Sequence, residues 1–103
     1  MVSKASATFQ DIVKERADGL RELTFHDLEQ LADAPTEHMV IDSRPAKTSI
    51  IVLRLAASGG LRVVVQGFLK ARFLGWHVSL DGFYRYPDET SAALTREDMW
   101  DYS

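Results

Sequence analysis

Between Thr48 and Tyr86 the chain alternates between two sets of side chains, and the alternation is broken twice by turn-forming residues. The runs Thr48 to Ala57, Leu61 to Phe73 and Trp76 to Tyr86 are separated only by Ser58-Gly59-Gly60 and Leu74-Gly75. Period-two alternation bounded by glycine turns predicts strands joined as hairpins, here an antiparallel β-meander. A further strand is expected before it, over His38 to Ser43, with a reversal at Arg44-Pro45-Ala46.

Upstream of residue 34 the period changes to that of a helix. Phe9, Ile12, Val13 and Ala17 fall on one side of a helix expected from Phe9 to Asp18, stopped by Gly19. Phe25, Leu28, Leu31 and Ala32 form the stripe of a second, from Phe25 to Asp33, ended by Ala34-Pro35. Three copies of Thr-x-x-Asp mark helix starts, at Thr8, Thr24 and Thr95. In each the hydroxyl can accept a hydrogen bond from a first-turn amide, and the aspartate suits the positive end of the helix dipole. Leu23 with Leu28, and Leu94 with Met99, add a hydrophobic staple to the second and third. A short last helix is therefore expected over Arg96 to Tyr102. The order is α-α-β-β-β-β-α: an α+β fold with two N-terminal helices on one face of a four-stranded antiparallel meander. Residues 1–103 read as one domain, with 1–6 a frayed lead-in.

The apparent turn lengths assign the faces. A three-residue turn at 58–60 sets Leu55 opposite Val63, Leu53 opposite Val65 and Ile51 opposite Gly67. A two-residue turn at 74–75 sets Leu69 opposite Leu80, Gly67 opposite Gly82 and Val65 opposite Tyr84. That face is apolar apart from its glycines, and the helices are its expected cover. Gly67, Gly82 and Ile51 then lie together, predicting either a bend of the sheet or a dent that admits a ligand or a bulky side chain. The opposite face carries Ile50, Val52, Val64, Phe68 and Phe83 bordered by Arg72 and Arg85, among other basic residues. An apolar patch of this kind is an expected contact surface. Its cover is either the C-terminal segment, with Met99, Trp100 and Tyr102 over the patch and Glu97, Asp98 and Asp101 beside the arginines, or a second copy of the chain.

Composition narrows the chemistry. The 103 residues are 46% hydrophobic and 26% charged, ordinary for a folded chain. There is no cysteine, which excludes disulfides, thiolate metal sites and a cysteine nucleophile. Arg54, Arg62, Lys70 and Arg72 interrupt the most apolar region, so no membrane span is expected, and the N-terminus lacks the apolar stretch of a signal peptide. A cytoplasmic location is the expectation. Residues 47–86 hold six basic side chains and one acid, while both flanks are acidic and the net charge is −3. Acidic helices against a basic sheet account for that distribution. Phe68 and Phe83 among arginines have the elements of a single-stranded RNA platform, but the acidic total and the absence of a ribonucleoprotein motif argue against nucleic acid.

His26, His38 and His77 form no metal-ligand spacing, no serine lies in a nucleophile elbow, and Gly59-Gly60 joins two strands rather than opening a helix. No metal, cofactor or catalytic residue is assigned. Helices followed by a curled meander resemble the cystatin and NTF2-like architectures, a resemblance of shape that implies no activity. The expected function is a non-enzymatic interaction or accessory domain that forms a homodimer through the outer sheet face. A small-ligand protein or minor enzyme using the Gly67/Gly82 dent is the alternative, and an RNA-binding module a third.

Overall fold

A computed structural model describes residues 4–32, 34–100 and 102. The elements are α1 (Lys4–Arg21), α2 (Phe25–Glu29), β1 (Glu37–Ile41), β2 (Arg44–Arg54), β3 (Leu61–Lys70), β4 (Trp76–Arg85), β5 (Ser91–Ala93) and α3 (Arg96–Trp100). The strands form one antiparallel sheet in the order β1-β2-β3-β4-β5. The fold is α+β as expected, with a fifth strand beyond the four read from the sequence.

Helix α1 is longer than its sequence signals suggest. Ala5, Phe9, Val13, Ala17 and Leu20 are all buried, and this single stripe runs past both expected ends. Thr8 is therefore an interior residue rather than a cap, and Gly19 is helical rather than a stop. Burial of Ala5 and Leu20 outweighs the roughly 1 kcal/mol that an interior glycine costs. Lys4 to Ser6, expected to fray, belong to this helix; residues 1–3 lie outside the described residues. The other two caps form as read: the Thr24 hydroxyl accepts from the Asp27 amide at 3.1 Å and the Thr95 hydroxyl from the Asp98 amide at 3.2 Å. Helix α2 closes at Glu29 rather than at Asp33, which is outside the described residues.

The face assignment is corrected by the loops. Leu55 and Gly60 close a six-residue loop, with Leu55 N–H donating to Gly60 O at 2.8 Å and Gly59 N–H to Leu55 O at 2.9 Å. Ala71 and Gly75 close a five-residue loop, with Ala71 N–H donating to Gly75 O at 3.0 Å. Gly59 and Gly75 supply the positive φ angles these turns need, 71° and 78°. Each loop takes its neighbouring strands three residues out of the expected register, and an odd slip exchanges faces. Val65 pairs with Ile50 and Asp81, not with Leu53 and Tyr84. The first hairpin also turns earlier than expected, at Asp42-Ser43, with φ of 51° and 64°; Arg44, Pro45 and Ala46 belong to β2. Two consecutive left-handed residues are what a tight two-residue hairpin requires.

The inner face, under α1 and α2, thus carries Ala46, Thr48, Ile50 and Val52 of β2, Leu61, Val63, Val65, Gly67 and Leu69 of β3, and Phe83 and Arg85 of β4. Gly67 lies opposite Thr48 and Ser79. A Cβ there would sit 2.7 Å from Phe9 Cζ and 2.7 Å from Val13 Cγ2, so α1 packs directly onto the bare backbone. The expected inner-face dent at Gly67 is thus occupied by Phe9 and Val13. Gly82 and Ile51, expected beside it, are on the opposite face, one on each side of Val64.

Arg85 joins the two layers. It is only 6% exposed, and its guanidinium donates to Leu23 O at 2.5 Å, Arg21 O at 2.6 Å and Ser91 Oγ at 2.7 Å. The Arg21 carbonyl is the last of α1 and carries the negative end of that helix's dipole, while Leu23 lies in the turn that leads into α2. Glu89 contacts Arg85 at 3.4 Å and also accepts the Phe25 amide at 3.0 Å, capping the start of α2.

Two substitutions check this layer. Gly67→Ala is expected to cost about 1–3 kcal/mol in urea unfolding, because Phe9 and Val13 must move, and Phe9→Leu in the same chain is expected to restore part of it. Arg85→Met leaves the Arg21 and Leu23 carbonyls without this donor and Glu89 without its cation, and is expected to cost about 3 kcal/mol or more by the same measurement.

Candidate interaction surface

The outer face divides into a covered half and a bare half. The covered half lies under the chain that follows β5. A Cβ on Gly82 would meet Leu94 Cδ1 at 2.8 Å, so Leu94 packs on the glycine as that segment turns across the sheet. Arg62 pairs with Asp98 of α3 at 2.9 Å, and the Gln66 amide donates to Tyr102 O. Val64 lies between those two anchors on the same face and is fully buried. Arg62 also lies 5.9 Å from the Tyr84 ring centroid, and Tyr84 is only 7% exposed. The acidic C-terminal segment therefore meets Arg62 through Asp98, one of the two covers left open by the sequence; Asp101 is outside the described residues. Trp100, 72% exposed, borders a shallow cleft with Leu80, Arg96 and Met99.

The bare half runs from β2 across β3 to the start of β4. Lys47, Phe68 and Val78 lie side by side across three strands, and Lys70 is opposite Trp76. Trp76 and Val78 are 46% and 40% exposed, while Leu53, 46% exposed, lies at the other end of β2 beside Arg62. At the adjoining loop Phe73 and Leu74 are 87% and 90% exposed. Lys47 Nζ is 5.2 Å from the Phe68 ring centroid and 5.5 Å from that of Trp76, and Lys70 Nζ is 5.4 Å from Trp76. Both ammonium groups rest on ring faces, a geometry that leaves the alkyl stems along the sheet.

Of the residues expected in this patch, Val64 and Phe68 are on the outer face, the first covered and the second half-buried. Ile50, Val52, Phe83 and Arg85 face inward, and Arg72 lies in the loop between β3 and β4. The cause is the odd register slip at each loop. Trp76 and Val78 take the vacated places on β4, because the parity that turns Phe83 inward turns them outward, and Leu53 faces out on β2 because Ile50 and Val52 face in.

Electrostatics fix the border between the faces. Arg21, at the end of α1, donates to Asp81 at 3.0 and 3.3 Å and to Gly82 O at 3.2 Å. The Asp81 carboxylate raises the Arg21 pKa above its ordinary value, and Asp18 adds to it. Phe83 lies between two guanidiniums, 5.3 Å from Arg21 and 5.5 Å from Arg85.

Among the described residues no group of three or more His, Asp or Glu side chains is placed to hold a metal, and no helix is long and apolar enough to cross a membrane. No family model, curated protein or solved structure matches the chain.

The hold of α3 on the covered half is testable. Asp98→Ala is expected to lower stability by about 1 kcal/mol, since the pair with Arg62 is largely shielded from solvent. Removing the chain after Leu94 is expected to raise the fluorescence of a hydrophobic dye by uncovering Val64.

Proposed function

We propose that this chain is a non-enzymatic interaction domain that assembles with a second copy of itself along the bare half of its outer sheet face, at the β4 border. The observation that carries the reading is the continuity of Phe68, Trp76 and Val78 with the exposed Phe73 and Leu74. Large apolar groups in contact with one another at a surface mark an interface rather than ordinary exposure.

The size of the surface supports it. The chain exposes 6577 Å², whereas a compact monomer of 11.6 kDa exposes roughly 5800 Å². Its radius of gyration is 14.2 Å, against roughly 12.8 Å for a compact chain of this length. That surplus reflects an elongated shape of 44 × 24 × 18 Å, whose long sheet leaves a face for a second copy. A self-complementary face also suits the layout: each copy offers a raised, acidic α3 on one half and a flat half bearing Lys47 and Lys70 on the other.

A second reading, single-stranded RNA along the same half, is supported by Lys47 and Lys70 beside the Phe68 and Trp76 rings. The acidic α3 on the adjoining half weighs against it. Salt-sensitive quenching of tryptophan fluorescence by an oligonucleotide would favour it.

Light scattering is expected to give twice the 11.6 kDa chain mass. Trp76→Asp combined with Phe73→Asp is expected to give a monomer with the same circular dichroism and a melting temperature within about 3 °C. A wild-type monomer at about 100 µM, above the dissociation constant expected of a specific interface, overturns the proposal.

A further inference from the structure

Strand β4 is a central strand for only part of its length. Strand β5 pairs with Phe83, Tyr84 and Arg85 alone. Hydrogen bonds at either end of β4 show which way its backbone groups point. Gly75 O accepts from Ala71, on the β3 side, and Tyr86 N–H donates to Thr90 O, on the β5 side. The pairing of β3 with β4 runs without a break from Leu61↔Arg85 to Lys70↔Trp76, so the alternation holds throughout. The N–H and C=O groups of Trp76, Val78, Leu80 and Gly82 therefore face away from β3.

Those of Gly82 are already satisfied. Its N–H donates to Asp81 Oδ1 at 2.8 Å, and its C=O accepts from Arg21 at 3.2 Å. What remains is an open ladder of three residues, Trp76, Val78 and Leu80, closed at one end by Arg21 and Asp81 and at the other by the loop at Gly75. Among the described residues nothing pairs with it. Edge strands are ordinarily guarded by proline, lysine or a bulge, and residues 76–80 contain none of these.

We infer that two copies of the chain pair antiparallel along this edge, with Val78 of each on the twofold axis and Trp76 of each opposite Leu80 of the other, joining two five-stranded sheets into one. The inference rests on the self-association proposed above and names its geometry. Three open residues symmetric about Val78 are self-complementary: this register pairs every open backbone group and none that is already capped. On the outer face it sets Trp76 against Leu80 and Val78 against Val78, so all three cross-strand pairs are apolar. On the inner face it sets His77 against Ser79. A slip of one residue would bring apolar against polar sides, and a slip of two would leave open groups unpaired or set them against the capped Gly82. There is room for the added strand's inner side chains. A cleft of about 450 Å³ lies between α1 and this edge, bordered by Gln10 and Lys14 on the helix and Ser79 on the strand. No carboxylate or ammonium lies within residues 76–80; the charges beside the edge are Lys47 and Lys70 on the Trp76 ring and Lys14 with Asp81 at the cleft, of both signs.

Proline at position 78 separates this geometry from any other dimer. Its missing N–H faces the open edge, so Val78→Pro leaves the β3 ladder whole and is expected to give a folded monomer by light scattering and circular dichroism. Cross-linking gives an independent readout, because the chain has no native cysteine. His77→Cys and Ser79→Cys, prepared as separate proteins and mixed under mild oxidation, are expected to form a disulfide-linked dimer at least about tenfold faster than either alone, since opposed non-hydrogen-bonded residues bring Cα atoms to about 4.5 Å. A dimeric wild type whose mixed variants cross-link no faster than the single ones overturns the edge geometry while leaving self-association standing. A monomeric wild type overturns both. Should Val78→Pro fail to fold, the mixed cross-link alone decides.

Discussion

The guanidinium of Arg85 is the point on which the two layers depend. A charge this deeply enclosed is tolerated only when every donor finds an acceptor. Here the acceptors come from four places: the end of α1, the segment leading into α2, the turn after β4, and β5. Satisfying one side chain therefore fixes where α1 ends over the sheet, where Glu89 sits to start α2, and how β5 lies against β4. It also fixes parity. Once Arg85 points inward, Phe83 must follow it, and Trp76, Val78 and Leu80 must point the other way.

The two interior glycines extend the same logic to opposite faces. Gly67 removes a side chain so that Phe9 and Val13 can approach β3 from above, and Gly82 does so first for the β3 backbone, where a Cβ would run into Val63 O, and then for Leu94 below. One glycine thus seats the N-terminal helix and the other the C-terminal crossing. The sheet remains an unbroken ladder at both, with the backbones of β3 and β4 drawn close at Gly82.

Much of this architecture was legible in the sequence. The succession of two helices, an antiparallel meander and a last helix, and the caps at Thr24 and Thr95, follow from local chemistry that tertiary structure does not override, whereas β5 carries no such signal. The faces were not legible, for a specific reason. Ile50 to Leu53 and Val63 to Val65 are apolar on both sides, so the alternation there is consistent with either register. The decision falls to loop length, and Leu55 to Ala57 read as strand because nothing in their composition marks a turn. The position of Thr8 inside α1 is a similar case, where a local signal yields to the burial of Ala5. The true outer-face residues, Trp76 and Val78, had a signal available: they share parity with Gly82 and Tyr84, and Arg85 is a poor occupant of an exposed apolar face when helix-end carbonyls lie within its reach.

Arg21 takes part in both tasks of its helix terminus. Its carbonyl is held by Arg85, while its side chain seals the backbone of Gly82. The extent of sheet left available to another strand is thus metered by the helix that builds the core. Without that seal the ladder would lengthen beyond its symmetric span, and a closed two-fold arrangement would lose the stop that distinguishes it from staggered, open-ended growth.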